Sequence, residues 1–85
     1  MAIEILYFAW VRERIGLDSE SVTPPENVTD VAGLVDWLAL RSGRHQTALA
    51  DRGRIRAAVD QSFATPNTSI VGAREVALFP PVTGG

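Results

Sequence analysis

The stretch TDVAGLVDWLALRSG, Thr29 to Gly43, decides the fold of this 85-residue chain. Its apolar residues recur at positions i, i+3, i+4 and i+7, the spacing of one helix face: Val31, Leu34, Val35 and Leu38. We expect Thr29 to be the N-cap and Gly43 to follow the helix end. Gly33 costs about 1 kcal/mol relative to alanine inside a helix, so we expect a strand to approach closely there. The stretch predicts one main amphipathic helix.

Two strands and a helical turn are predicted before this helix. AIEILYF, residues 2–8, alternates and predicts a strand with one fully buried face. AWVRERIG, residues 9–16, predicts a short helical turn that Gly16 ends. LDSESVT, residues 17–23, is polar and predicts a weak strand at or near a sheet edge.

Three further strands are predicted after the helix. RHQTALADRG, residues 44–53, predicts a connecting turn or a short helix. RIRAAVDQSFA, residues 54–64, predicts two strands around a turn at Asp60 and Gln61. REVALFP, residues 74–80, is apolar on both faces and predicts a central, buried strand.

The order of these elements predicts an α+β domain. One main helix would pack across a mixed sheet of about five strands. We expect this domain to span residues 1–79 and an extended tail to span residues 80–85, because Pro80 and Pro81 cannot continue a strand ladder.

Composition excludes several kinds of site. The chain has no cysteine, and all eight basic residues are arginine, so thiolate and lysine chemistry have no side chain to use. A net charge of −2 argues against nucleic acid as the main partner. No apolar run approaches the roughly 20 residues of a membrane helix, and no basic leader opens the chain. We therefore expect a cytoplasmic protein with no membrane partner.

The body of the domain shows no catalytic or metal-binding constellation. His45 is the only histidine, and we expect it to be an exposed loop residue. Trp10 and Trp37 are expected to pack or to contact a partner. Three arginines alternate and would share one strand face: Arg52, Arg54 and Arg56. That face is either a docking patch for an acidic partner or, as we favour, a solvated surface.

The tail PPVTGG, residues 80–85, is the remaining candidate for chemistry. The two prolines favour an extended course away from the sheet. Gly84 and Gly85 carry no Cβ and can pass through a channel too narrow for other residues. The carboxylate of Gly85 becomes an electrophile once it is adenylated with ATP, and a sulfur donor can then convert it to a thiocarboxylate.

Three segments resemble the MoaD-type sulfur carriers, the small subunits of molybdopterin synthase: EVALFPPVTGG (75–85), ILYFAWVRERIG (5–16) and AAVDQ (57–61). The resemblance runs over essentially the whole chain. It implies a ubiquitin-like β-grasp fold and a role in molybdenum cofactor biosynthesis. The thiocarboxylate would donate sulfur to cyclic pyranopterin monophosphate, forming molybdopterin.

The resemblance also implies the site residues and the partners. Gly85 would bear the adenylate and then the thiocarboxylate, and Gly84 and Thr83 would thread into the partner. Four residues would dock the tail: Phe79, Pro80, Pro81 and Val82. The partners would be the large synthase subunit in a 2:2 heterotetramer, an E1-like adenylyltransferase that uses ATP, and a sulfur donor protein. The chain would bind no cofactor or metal itself and would not be catalytic alone.

Two positions depart from the family pattern. Arg74 stands where an acidic residue is usual, and Asp60 stands at the usual turn asparagine. Three other functions also stay open: a sulfur carrier for thiamine, cysteine or tRNA thiolation; a ubiquitin-like protein modifier; and a plain interaction module.

Overall fold

The computed structural model describes residues 2–81. Met1 and Val82 to Gly85 lie outside the described residues. In chain order the elements are β1 (Ile3–Tyr7), α1 (Ala9–Ile15), β2 (Ser19–Val22), α2 (Val31–Ala39), α3 (Gly43–Leu49), a 3₁₀ turn (Arg52–Arg54), β3 (Arg56–Val59), β4 (Ser62–Ala64) and β5 (Glu75–Phe79).

The strands form one mixed sheet in the order β2-β1-β5-β3-β4. The central pair, β1 and β5, is parallel, whereas β1–β2, β3–β4 and β3–β5 are antiparallel. The longest helix, α2, contributes its buried face to the core. This is the β-grasp topology, and it confirms the predicted α+β class and the polar edge strand at 19–22.

The core lies between the sheet and the helices. Its fully buried large side chains come from both layers: Ile5, Tyr7, Val11, Leu34, Leu38, Leu49, Val76 and Leu78. In β5, Val76 and Leu78 are 0% exposed and Ala77 on the other face is 9% exposed. The prediction of a central, buried strand is therefore confirmed.

The predicted β3–β4 turn is confirmed at Asp60 and Gln61, which have φ of 48° and 71°. Two residues with positive φ give the turn whose twist matches that of a hairpin. Asp60 Oδ1 also accepts hydrogen bonds from the backbone N–H groups of Arg74 and Glu75, at 2.9 and 3.0 Å. Because a carboxylate oxygen accepts these bonds as an amide oxygen would, the departure at Asp60 is compatible with the turn.

The predicted ends of the main helix are wrong. Its N-cap is Asp30 rather than Thr29, since Asp30 Oδ1 accepts from the Gly33 N–H at 2.8 Å. The helix ends at Ala39, and Gly43 begins α3 behind the N-cap Ser42. A Cβ on Gly33 would lie 3.1 Å from Asp30 Oδ1, so this glycine leaves room for the cap and not for a strand.

The expected strand face of alternating arginines is also wrong. Arg52 and Arg54 lie in the 3₁₀ turn, and only Arg56 enters β3. Arg52 Nη2 pairs with Asp36 Oδ1 of α2 at 2.9 Å. The periodicity of a strand therefore does not apply to this segment.

His45 is the third residue of α3, and its side chain is 7% exposed. The expectation of an exposed loop histidine is therefore wrong. Its Nε2 donates to Glu20 Oε2 of β2 at 2.6 Å, and its Nδ1 lies 2.7 Å from Ser42 Oγ. Tyr7 Oη of β1 donates to the same Glu20 oxygen at 2.7 Å, and Arg41 Nη2 lies 3.4 Å from Glu20 Oε1. These contacts fasten α3 to β1 and β2.

Glu20 makes the stability of the fold depend on pH. Burial alone would raise the pKa of Glu20, but hydrogen bonds from His45 and Tyr7 and the charge of Arg41 outweigh burial and lower it. As pH falls, Glu20 is therefore protonated at a higher pH in the unfolded chain than in the folded chain. The stabilisation is fully present above the ordinary pKa of 4.5 and is lost as pH falls below it.

Glu20→Gln is expected to lower the free energy of unfolding at pH 7 by about 1–3 kcal/mol, because charge-assisted hydrogen bonds are weakened. The variant should also lose less stability than the wild type on acidification below pH 4.5. Urea denaturation at neutral and acid pH measures both effects. Glu26→Gln is the matched control, since Glu26 is exposed in a loop. Equal acid sensitivity in all three proteins would contradict the assignment.

Candidate functional site

The tail leaves the sheet at its centre. Strand β5 ends at Phe79, which lies in register with Arg56 of β3. On the other side, the Phe8 N–H donates to the Leu78 carbonyl at 3.2 Å. Pro80 and Pro81 follow and are half-buried. The root of the tail is therefore held between the end of β1 and the start of β3.

The sheet face opposite the core carries small and apolar residues at this end. Leu6, Ala77 and Ala58 lie side by side across β1, β5 and β3, and Phe63 of β4 lies opposite Ala58. Their strand neighbours Tyr7, Leu78 and Ala57 are buried in the core. Because side chains alternate along a strand, the row from Leu6 to Phe63 belongs to the other face.

Three phenylalanines, here called the aromatic patch, stand on this open face: Phe8, Phe63 and Phe79. Phe63 is 83% exposed and Phe8 is 46% exposed. The rings of Phe63 and Phe79 meet edge to face, with centroids 6.1 Å apart. Exposed aromatic groups on an uncovered sheet face are typical of a surface that binds another protein.

The sequence predicted only one member of the aromatic patch, Phe79. Phe8 and Phe63 were missed, because each stands beside a turn and the strand pattern alone does not say which face is covered. The pairing across the Asp60–Gln61 turn contains the signal, since it sets Phe63 opposite Ala58 on the face away from the core.

The predicted site residues fall into two groups. Phe79, Pro80 and Pro81 lie at the root of the tail, beside the aromatic patch. Val82, Thr83, Gly84 and Gly85 lie outside the described residues, and their roles stay predictions. Between residues 2 and 81, no group of three histidine, cysteine or carboxylate side chains could hold a metal ion. Over the same range, no helix has the length and apolar character needed to span a membrane.

Residues 5–85 match the model of the ThiS family. The chain belongs to the ThiS family. The match runs from β1 through the tail, so it includes both the sheet and the aromatic patch. Together with the relatives below, it confirms the resemblance that the segments at 5–16, 57–61 and 75–85 indicated.

Individual relatives match along nearly their whole length. The molybdopterin synthase sulfur carrier subunit of Escherichia coli K12 is 40% identical over 83 residues, covering 98% of this chain and 99% of its own. The protein of the same description from Mycobacterium tuberculosis H37Rv is 36% identical over 84 residues, covering 98% and 96%. The crystal structure of SAMP1 from Haloferax volcanii aligns with a TM-score of 0.73 at 26% identity and covers 100% of both chains.

Proposed function

We propose that this ThiS-family chain is the sulfur carrier subunit of a molybdopterin synthase. The observation that carries the proposal is the 40% identity, over almost the full length of both chains, to a protein of that description. A second relative with the same description supports it at 36% identity. The β-grasp domain and the open aromatic patch beside the tail are compatible with this role.

The first step activates the carboxylate of Gly85. In the adenylating partner this carboxylate attacks the α-phosphorus of ATP, forms an acyl-adenylate and releases pyrophosphate. A sulfur donor protein then supplies sulfur at the oxidation level of sulfide, which displaces AMP and leaves a thiocarboxylate. The folded domain contributes docking surface, whereas the partners contribute the catalytic side chains.

The second step delivers the sulfur. The tail enters the large synthase subunit, with Thr83 and Gly84 threaded into its active site. The thiocarboxylate sulfur bonds to a side-chain carbon of cyclic pyranopterin monophosphate as the carbon–oxygen bond at that carbon breaks and its oxygen leaves. Water then cleaves the acyl–sulfur bond, which returns Gly85 to a carboxylate. Two transfers build the dithiolene of molybdopterin. The proposed assembly is a cytoplasmic 2:2 heterotetramer.

Docking of the large subunit is assigned to the aromatic patch and the tail root. Phe63 and Phe79 already contact each other at the open face, so a partner buries two rings whose geometry is set in advance. Pro80 and Pro81 restrict the backbone that leads to the tail. A partner that covers this face therefore receives the tail in a limited range of directions.

Intact mass spectrometry tests the proposal. The purified chain is incubated with ATP, the adenylating enzyme and a sulfur source from the same organism. We expect a mass gain equal to the replacement of one oxygen by sulfur, located on Gly85 by fragmentation. Addition of the large subunit and precursor should reverse the gain and form molybdopterin. An unchanged mass, with a control carrier converted in parallel, would overturn the proposal, as would a thiocarboxylate that the large subunit cannot use.

Phe63→Ser is expected to weaken binding to the large subunit by about tenfold or more, because an aromatic anchor at an interface is lost. The melting temperature should change little, since Phe63 is 83% exposed. Calorimetric titration of the large subunit measures the affinity. The matched control is Val71→Ser, which removes an apolar side chain that is 74% exposed in the loop before β5. Equal affinities for the two variants would exclude Phe63 from the interface.

A further inference from the structure

Two arginines from different elements converge on one tryptophan. Trp10 is the second residue of α1 and is half-buried against the core. The guanidinium carbon of Arg14, one turn later, lies 4.4 Å from the centroid of the Trp10 ring. That of Arg54, in the 3₁₀ turn, lies 5.3 Å from the same centroid. We call Trp10, Arg14 and Arg54 the arginine clamp.

The clamp has no internal counter-charge among residues 2–81. The ion pairs of that range use other arginines: Arg12, Arg41 and Arg52. Glu13 is the sequence neighbour of Arg14, but it forms no ion pair there. Asp51 accepts a hydrogen bond from the Gly53 N–H at 3.1 Å and caps the 3₁₀ turn. Two positive charges therefore lie within 5.3 Å of one ring centroid, on a chain whose net charge is −2.

Stacking makes these arginines different from a solvated charge run. A guanidinium on an indole face keeps its donors free while part of its side-chain motion is already restricted. Binding a carboxylate then costs less conformational entropy than it would for a free arginine. Tryptophan and arginine are also the residues most enriched where truncation weakens protein–protein binding.

The two elements of the clamp are each joined to a strand end that flanks the root of the tail, because α1 follows β1 and the 3₁₀ turn precedes β3. Trp10 lies two residues after Phe8 of the aromatic patch, and Arg54 lies two residues before Arg56, the register partner of Phe79. A stable protein interface takes about 20–30 residues from each side, and the aromatic patch with the tail supplies less than half of that. A partner that covers the aromatic patch must therefore contact further surface around it. The clamp would supply part of that surface, with two positive charges.

We propose that the arginine clamp binds a pair of carboxylate side chains on the large subunit that receives the tail. This inference rests on the proposed function. The acidic surface would meet Arg14 and Arg54 while the aromatic patch and the tail engage the same subunit. Contacts of this kind at an interface rim act mainly on the association rate and on the salt dependence of binding.

The test compares the affinity of four carrier chains for the purified large subunit, by calorimetry at low and at physiological ionic strength. Arg14→Gln and Arg54→Gln remove one charge each and keep the side chain polar. Arg74→Gln is the matched control, because Arg74 is exposed in the loop at the opposite end of β5. Thermal denaturation of each chain confirms that it is folded.

Each clamp variant is expected to bind the large subunit about tenfold more weakly than the wild type at low salt, and to lose less affinity as salt is added. The control should match the wild type. Unchanged affinity and salt dependence in both clamp variants would overturn this inference alone, since wild-type binding would still support the proposed function. Failure of the wild type to bind would overturn the proposed function and this inference together.

Discussion

A chain extended by one alanine after Gly85 is expected to transfer sulfur at least a hundredfold more slowly than the wild type. The extra residue moves the carboxylate by about 3.5 Å and adds a Cβ where the proposed channel accepts only glycine. A displacement of even about 1 Å at a reacting group costs roughly a hundredfold in rate. We therefore expect at least a hundredfold loss of thiocarboxylate formation and of molybdopterin synthesis, measured by mass spectrometry in the reconstituted system.

An alanine added before Met1 is the control for that experiment, since it changes the chain length equally and leaves Gly85 terminal. This control should form thiocarboxylate at the wild-type rate. The extended tail should still allow the large subunit to bind the aromatic patch, so affinity is expected to fall far less than turnover. Normal sulfur transfer by the extended chain would contradict the assignment of the reactive carboxylate to Gly85.

Leu38→Ala is expected to lower the free energy of unfolding by about 2–5 kcal/mol, the usual cost of truncating a fully buried leucine. Leu38 is 0% exposed on the core face of α2. For a domain of this size each kcal/mol corresponds to about 4–8 °C in melting temperature. Urea denaturation and thermal melting of the variant measure the loss.

Leu40→Ala is the matched control two residues later, at the end of α2. It removes the same atoms from a side chain that is 82% exposed. The stability of this control should stay within about 0.5 kcal/mol of the wild type. If the two variants were equally destabilised, the orientation of α2 on the sheet would be wrong.

The elements that the sequence predicted best are those whose signal is local. The i, i+3, i+4, i+7 spacing in α2 and the two-sided apolar pattern of β5 reflect burial, and the structure confirms both. The signal for the turn at Asp60 and Gln61 is likewise local, because two short apolar runs flank it and Asp tolerates positive φ. Helix ends were less predictable, since Thr29 and Asp30 are both good N-caps and only the packed structure selects Asp30.

The contacts that the sequence could not predict join distant segments. His45 is buried where it contacts Glu20, which lies 25 residues earlier in the chain. The residues around His45 carry no sequence signal for that contact. The aromatic patch depends on which sheet face the helices leave open. The arginine clamp depends on a 3₁₀ turn that breaks the strand alternation of Arg52, Arg54 and Arg56. Each is a product of tertiary packing.

The parallel pairing of β1 with β5 has a consequence for biosynthesis. The two strands at the centre of the sheet lie at opposite ends of the described chain, so their contacts have high sequence separation. During translation β1 cannot pair with β5 until residues 75–79 have left the ribosome. A prematurely terminated chain that lacks β5 therefore lacks the middle of the sheet and is expected to be degraded. Quality control of this kind would remove chains that end before β5 is complete, before they could occupy a partner unproductively.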